Sequence, residues 1–453
     1  MPHDALAGTG VTIRTADPSD VVAGVQPKWV ALPESTEEVA ALLRAAAEHD
    51  LAVTPVGGGT KLDWGPPPER CDLLIDLCCM NEILEHAAGD LVVRVQAGTT
   101  FESLNQRLSA ENQELALDIP IPGTTVGGLL ATALSGPRRF RYGTPRDLII
   151  GITVVLADGT TAHSGGKVVK NVAGYDLGKL FTGSYGTLGI ITEAAFRLHP
   201  LPPTRQWVTA TYPTPEQPPA AARPPDDHPA AGEHPPGTGF PAAHDTRLDP
   251  PADYATLIGA LVTQLAASQA EPSAIELNRQ ADSPGYTVSV LLEGTAAPSR
   301  AAAIQHAMTN LEISSAKDPA LGLLSRPEIT GNPPAWWGEL PDDGILMEIR
   351  VPPGSIGPVL RAVASASMSG HVLRGSAASG VLHLAVPDDT RLTAVARLRD
   401  QVEGIGGRLV VISGAGNGVD RWGTIGALDL MKRVKARFDP DRRMSPGRFV
   451  GGI

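Results

Sequence analysis

PVGGGTK, at residues 55–61, completes a short apolar run, LAVTPV, that reads as a buried strand emptying into three glycines. Successive glycines free the backbone to point several N–H groups at one anion without interference from Cβ atoms, and a diphosphate suits such a loop. The same letters also suit a plain tight turn. An ATP-type P-loop fails on spacing: residues 57–61 do not spell GxxxxGK[ST], and Gly165-Gly166-Lys167 runs into Val168 rather than Ser or Thr.

Two further glycine segments lie downstream. In PIPGTTVGGLLATALSG, at 120–136, Pro122 and Gly123 set a turn and Gly127-Gly128 mark a close approach of the backbone. The small residues Ala131, Thr132 and Ala133 would let the following helix lie flush against a planar group, or against another helix. In GSYGTLGIITE, at 183–193, Gly183, Gly186 and Gly189 recur every third residue before an Ile-rich strand and offer backbone amides to a ring edge. Gly414-Ala415-Gly416-Asn417-Gly418 also follows a strand-like run, but Val419 occupies the third fingerprint position and only about one helix of chain remains, so a turn is the better reading there.

Around these segments the chain divides into two units. A helix is expected over 35–47, with strands over 51–56, 73–77 and 91–97, a helix over 101–111, and strands around 149–156 and 189–198. Residues 201–251, rich in Pro, Ala, His and Asp, have almost nothing to bury and read as a flexible linker or loop insertion. Strand-like runs at 274–277, 286–292, 345–351, 381–386 and 409–412 then alternate with helical ones at 301–311, 356–367 and 391–402. That pattern reads as a second α+β unit of βαβ-like pieces. A last helix, at 428–438, precedes the tail FDPDRRMSPGRF.

Composition narrows the function. With 42% hydrophobic residues and 19% charged among 453, two packed cores are affordable in apolar material. A formal charge of -12 opposes approach to nucleic acid. Cys71, Cys78 and Cys79 form no CxxC pair, so neither a zinc site nor an iron–sulfur cluster can be built from them alone. Residues 1–10 lack the basic and apolar regions of a secretion signal, and no run approaches the roughly 20 apolar residues of a membrane span. A cytoplasmic location is expected, with membrane attachment only through partners.

Taken in order, PVGGGT, GTTVGGLLATALSGPRRFRYGTPRDLIIGITVVLADG and GGKVVKNVAGYDLGKLFTGSYGTLGIITEAAFRLHP resemble the FAD-binding domain of vanillyl-alcohol-oxidase-type flavoproteins, the PCMH-type domain. The likeness spans residues 27–200 and resumes in FDPDRRMSPGRF, where the family commonly has a phrase like FDP…NPGR. Within it, SGPRR at 135–139 and GGKVVKNVAGYDL at 165–177 are most similar to the E-type flavin subunits of bacterial glycolate oxidases.

The resemblance implies an α+β fold: a PCMH-type FAD-binding domain of two α+β subdomains at 27–200, after an N-terminal segment at 1–26. The linker at 201–251 leads to an α+β cap domain at 252–427, and a segment at 428–453 returns to the FAD domain. By similarity, Val56, Gly57, Gly58, Gly59, Thr60 and Lys61 would cradle the FAD diphosphate. Gly123, Thr124, Thr125, Val126, Gly127 and Gly128 would line the flavin and its ribityl chain. Gly183, Gly186, Gly189, Ile190 and Ile191 would meet the adenine or flavin edge, and Arg448 would return to the cofactor. The glycine loop has no His or Cys for covalent attachment, so noncovalent FAD is expected.

The resemblance further implies an FAD-dependent oxidoreductase acting on CH–OH groups. It would be a subunit that oxidises glycolate, a small 2-hydroxy acid, to glyoxylate, beside a D-type flavoprotein subunit and an iron–sulfur subunit. A self-sufficient 2-hydroxy-acid dehydrogenase or oxidase of D-lactate type is the alternative. A scaffold that has lost its flavin is disfavoured, because such a chain has no need for so many glycines. Relatives of D-subunit type carry a GH…GDGN.H phrase whose histidines hold a metal. Here GSAASGVLHLAV supplies His383 and VVISGAGNGVD no histidine, so no metal is expected. His371 and His383 each read as isolated structural or solvated residues. Arg138, Arg139 and Arg141 beside Tyr142 leave three readings open, a carboxylate clamp, a partner-facing patch or a solvated surface, and the catalytic base stays unassigned.

Overall fold

The computed structural model describes residues 2–166, 176–213, 254–283, 285–315, 325–342, 344–366, 368–416 and 418–453. Most of the Pro-rich stretch and most of GGKVVKNVAGYDL therefore lie outside the described residues.

The first sheet has the order Thr12–Thr15, Trp29–Leu32, Leu73–Asp76, Val53–Val56; its first pair is antiparallel and the others are parallel. Helix Thr36–Glu48 makes the crossover. Ser35 caps it by accepting from the Glu38 amide at 3.2 Å, and Glu37 and Glu38 sit in its first turn. At 13 residues it would be marginal alone. Burial of Val39, Leu42 and Leu43, worth about 1.5–3 kcal/mol each, decides the matter. The N-terminal segment contributes helix Pro2–Ala7 and the strand that pairs with Trp29–Leu32.

The second sheet is antiparallel, in the order Ile83–Ala87, Val92–Gln96, Ile190–Arg197, Ile149–Val155, Thr161–Gly165. Helix Val126–Thr132, capped by Thr125, packs on it, and helix Phe101–Ser109, capped by Thr100, packs beside strand Gln113–Glu114. The glycine segments meet where these two subdomains face each other.

The cap is an eight-stranded sheet, in the order Glu328–Thr330, Arg205–Pro213, Gly285–Glu293, Ala274–Arg279, Val372–Ser376, Val381–Val386, Ile345–Arg350, Arg408–Ser413. Every pair in it is antiparallel, so the expected βαβ-like pieces are corrected: alternation of helix and strand along the chain does not by itself make strands parallel. The linker boundary is corrected too. Arg205–Pro213, inside the stretch read as linker, pairs along its whole length with Gly285–Glu293, because RQWVTATY alternates apolar and polar residues and buries Trp207, Val208, Ala210 and Tyr212.

Helices Tyr254–Ala266, Ile356–Ser365 and Leu392–Gly404 cover one cap face, where Leu277, Val288, Met347, Leu384 and Val411 join a continuous core. The other face looks toward the flavin-binding half. Finally, helix Leu428–Phe438 leads back, and Val53 donates to the Arg443 carbonyl at 2.8 Å while Ser445 donates to the Val53 carbonyl at 2.8 Å. The tail thus edges the strand that delivers the glycine loop.

Candidate active site

Val53–Val56 ends in a loop whose Gly57, Gly58, Gly59 and Thr60 amides have no hydrogen-bond partner among the described residues. Gly58 cannot carry a side chain: a Cβ there would lie 1.9 Å from the Gly123 carbonyl oxygen, so the second glycine segment is packed against the first. Lys61 donates to Thr60 Oγ1 at 2.8 Å and Thr124 Oγ1 at 3.0 Å, and no carboxylate among the described residues reaches it. Burial pushes its ammonium down to about 8. Unpaired amides beside a desolvated, unneutralised cation are the donor set that a diphosphate would complete.

The loop walls a cleft of 580 Å³ that adjoins one of 400 Å³. Of the residues expected at the cofactor, Val56, Gly57, Gly58, Gly59, Thr60, Lys61, Thr125, Gly127, Gly128, Gly186, Gly189, Ile191 and Arg448 line these two volumes. Gly123, Thr124, Val126 and Ile190 do not. Thr124, Val126 and Ile190 are fully buried supports, and Gly123 meets Gly58 through its carbonyl. Arg448 spends its guanidinium on the carbonyls of Leu62 and Trp64, at 2.8 and 2.5 Å, and so ties the tail to the segment after the loop. No His or Cys is among the described residues lining either volume.

Gly183 opens instead onto a third and larger space of 1740 Å³ between the flavin-binding half and the polar face of the cap. Ser135, Arg139 and Tyr185 enter from one side; Glu348, Arg350, His383 and Arg408 enter from the other. Tyr185 lines both this cavity and the glycine cleft, with φ at 56°, a conformation rare for a residue with a side chain. Sheet register builds the cap side: Arg374, His383, Glu348 and Val410 stand abreast on four neighbouring strands, and Val381, Arg350 and Arg408 form the next row.

The cavity is cationic. Arg350 pairs with Glu348 at 2.6 Å, whereas Arg139 and Arg408 have no carboxylate within ion-pair distance among the described residues. Burial lowers the pKa of both guanidiniums. Ser135 Oγ, Arg408 Nε and Trp422 Nε1, all buried, find no partner in the described residues and all belong to lining side chains. Burial would raise the Glu348 carboxyl, yet Arg350 and His383 outweigh it and hold it low. His383 lies with Nε2 3.7 Å from Glu348 Oε2; burial, seconded by Arg139 and Arg350 and opposed by Glu348, pushes it down to about 4.

The arginine cluster is split by the fold. Arg138 is locked between Glu114 and Asp118, Arg139 faces the cavity, and exposed Arg141 donates to the Glu271 carbonyl at 3.2 Å. His371, against Arg279 and the Met368 carbonyl, does not line the cavity. His383 does line it. Glu348, Arg350, Arg408 and Tyr185 were missed, although ILMEIR carries Glu and Arg at alternate strand positions, a charge pair that would put both on one face. Among the described residues no group of three or more His, Cys, Asp or Glu could hold a metal, and no helix is long and apolar enough to cross a membrane.

Residues 27–165 match a family described as an FAD binding domain. The chain is 31% identical to glycolate oxidase subunit GlcD of Bacillus subtilis (strain 168), over 93% of this chain and 89% of that protein. It is 37% identical to the mitochondrial D-lactate dehydrogenase [cytochrome] 1 of Saccharomyces cerevisiae over 42% of this chain and 32% of that one. For the mitochondrial D-2-hydroxyglutarate dehydrogenase of Bos taurus the figures are 38% over 38% and 32%. A solved alkyldihydroxyacetonephosphate synthase superposes with a TM-score of 0.63 at 16% identity, covering 94% of this chain and 78% of its own, a likeness of fold. The α+β architecture expected from the sequence, a PCMH-type FAD-binding domain followed by an α+β cap, is the one found.

Proposed function

This chain belongs to the FAD-binding family of glycolate oxidase subunit GlcD, and within it we propose that the protein binds FAD noncovalently and oxidises a small 2-hydroxy acid of the glycolate type to the 2-oxo acid. One observation carries the reading: the unpaired amides of Gly57–Thr60 and the unneutralised Lys61 open into a cleft that shares Tyr185 with a cavity holding unneutralised guanidiniums. The loop residues would hold the diphosphate; Gly128, Ala131 and Gly186, small enough to admit a flat group, would flank the rest of the cofactor. When bound, FAD supplies the acceptor for two electrons and a hydrogen. Arg139 and Arg408 would hold the substrate carboxylate, orienting its α-carbon and removing water from around the charge.

The protein would work as the E-type subunit of a glycolate oxidase complex, with a D-type flavoprotein and an iron–sulfur subunit, in the cytoplasm or at the membrane through those partners. A second reading, a self-sufficient 2-hydroxy-acid dehydrogenase, draws support from the cavity's own set of ionisable side chains. The test is direct. Purified protein should be yellow, acid should release FAD, and glycolate or D-lactate should bleach the flavin under anaerobic conditions. Colourless protein that also refuses added FAD would overturn the reading, and full turnover without partners would decide for the second one.

A further inference from the structure

We propose that His383 is the proton acceptor of the interdomain cavity and that Glu348 is its positioning residue. The inference rests on the 2-hydroxy-acid reading above and deepens it.

Elimination singles out the histidine. Tyr185 has its ionisation pushed up by burial and cannot serve as a base near neutral pH. Glu348 is ion-paired with Arg350 at 2.6 Å, so its carboxylate is already in use. Glu276 is buried, with burial pushing it up to about 8, so it is neutral when a base is needed and does not line the cavity. His383 is neutral and lines the cavity, and Glu348 Oε2 lies at ion-pair distance from Nε2. A tautomer with Nε2–H facing that carboxylate, 3.7 Å away, would leave Nδ1 to accept.

The charges around the ring supply the timing. Arg374 and Glu348 flank His383 on the neighbouring strands, Arg350 stands one row on, and Arg139 faces it from the flavin-binding half. Burial holds the imidazole low, and Arg139 and Arg350 add to it. A bound carboxylate screens those cations and leaves Glu348 to favour the imidazolium, so basicity rises when substrate arrives. In the step itself the hydroxyl O–H proton passes to Nδ1 and the carbonyl forms as the Cα–H bond breaks. The oxidant this step needs, an acceptor for that hydrogen and both electrons, is what FAD would supply when bound.

The experiment uses FAD-loaded full-length protein, with anaerobic flavin reduction by glycolate and by D-lactate as one readout and oxalate binding by calorimetry as the other. His383→Gln is expected to slow reduction about 10²–10⁴-fold while keeping its FAD and binding oxalate within about threefold. His383→Ala should regain part of the rate when imidazole is added, which a packing role would not allow. Glu348→Gln should lose less and shift the acid limb of the reduction rate. Reduction of His383→Gln at the wild-type rate, or no rescue by imidazole together with parallel loss of oxalate affinity, overturns the proposal while the parent reading stands. Wild-type protein that holds FAD and is reduced by no 2-hydroxy acid removes both.

Discussion

The Arg138 guanidinium, from the flavin-binding half, lies 3.4 Å from Glu293 Oε1 at the end of a cap strand. It also meets Glu114 at 2.7 Å and Asp118 at 2.9 Å, while Arg205, from the cap, returns to Glu114 and Glu293 at 3.0 and 2.9 Å. Glu114, Glu293 and Arg138 are nearly sealed from solvent, and Tyr142 donates to Glu293 Oε2 at 2.9 Å. The cavity roof is therefore pinned to its floor by a buried network. Replacing Arg138 by Met leaves three carboxylates short of a counter-charge. A loss of about 3–5 kcal/mol is expected, read as a lower midpoint in thermal or urea unfolding. An unchanged midpoint would mean the two halves are held by apolar packing alone.

Gly58→Asp should abolish flavin binding. Its Cβ would strike the Gly123 carbonyl at 1.9 Å, and its charge would oppose a diphosphate at the same place. Gly89→Ala is the contrast: nothing lies within 4 Å of the added methyl and the residue lines neither cleft, so flavin should be kept. Flavin-to-protein absorbance ratios of the purified variants decide. Full flavin in Gly58→Asp would show that the loop does not hold the cofactor.

FAD affinity should depend on pH through Lys61. In the free protein burial lowers the ammonium to about 8, and a bound diphosphate would raise it again. Binding then takes up a proton above about pH 8 and none below. The dissociation constant should be flat up to that point and rise by up to about tenfold per pH unit beyond it. Lys61→Met should bind more weakly with no such slope. Protein fluorescence quenching by added FAD between pH 6.5 and 9.5 measures both.

The cradle was legible because its residues are contiguous: a strand, three glycines and a lysine declare their geometry within seven letters. The cavity was not. Glu348, His383 and Arg408 lie far apart in sequence and converge through an antiparallel register that no local pattern states. Arg138 and Arg139 show the limit most sharply. Adjacent in sequence, one is buried among three carboxylates and the other faces the cavity, because a short helix begins between them. Arg205–Pro213 was hidden for another reason: Pro-rich neighbours masked a strand whose partner lies some 80 residues on.

The tail should matter to flavin binding through Asp439. This fully buried carboxylate accepts from the Arg443 and Met444 amides at 3.0 and 2.8 Å and from Lys435 Nζ at 2.7 Å. Lys435 in turn donates to the Thr187 carbonyl at 2.7 Å, one residue past Gly186, and the Arg443 carbonyl takes the Val53 amide at the foot of the glycine loop. Burial already lowers the Lys435 ammonium, with Asp439 opposing the shift. Asp439→Asn removes the counter-charge but keeps the shape, so the ammonium is driven lower still. A depressed lysine binds its proton more weakly folded than unfolded, so stability should rise with pH between the folded value and the ordinary 10.5, more steeply in the variant. A loss of about 3–5 kcal/mol near pH 7, partly recovered at pH 9.5, should accompany weaker FAD retention. Lys435→Met combined with Asp439→Asn removes the buried charge, but the Asn oxygen serves only one of the two amides, which bond separate carboxylate oxygens, so this double variant should regain part of the stability and flavin. If the double variant is no better than Asp439→Asn alone, the tail is held by its amides rather than by the ion pair.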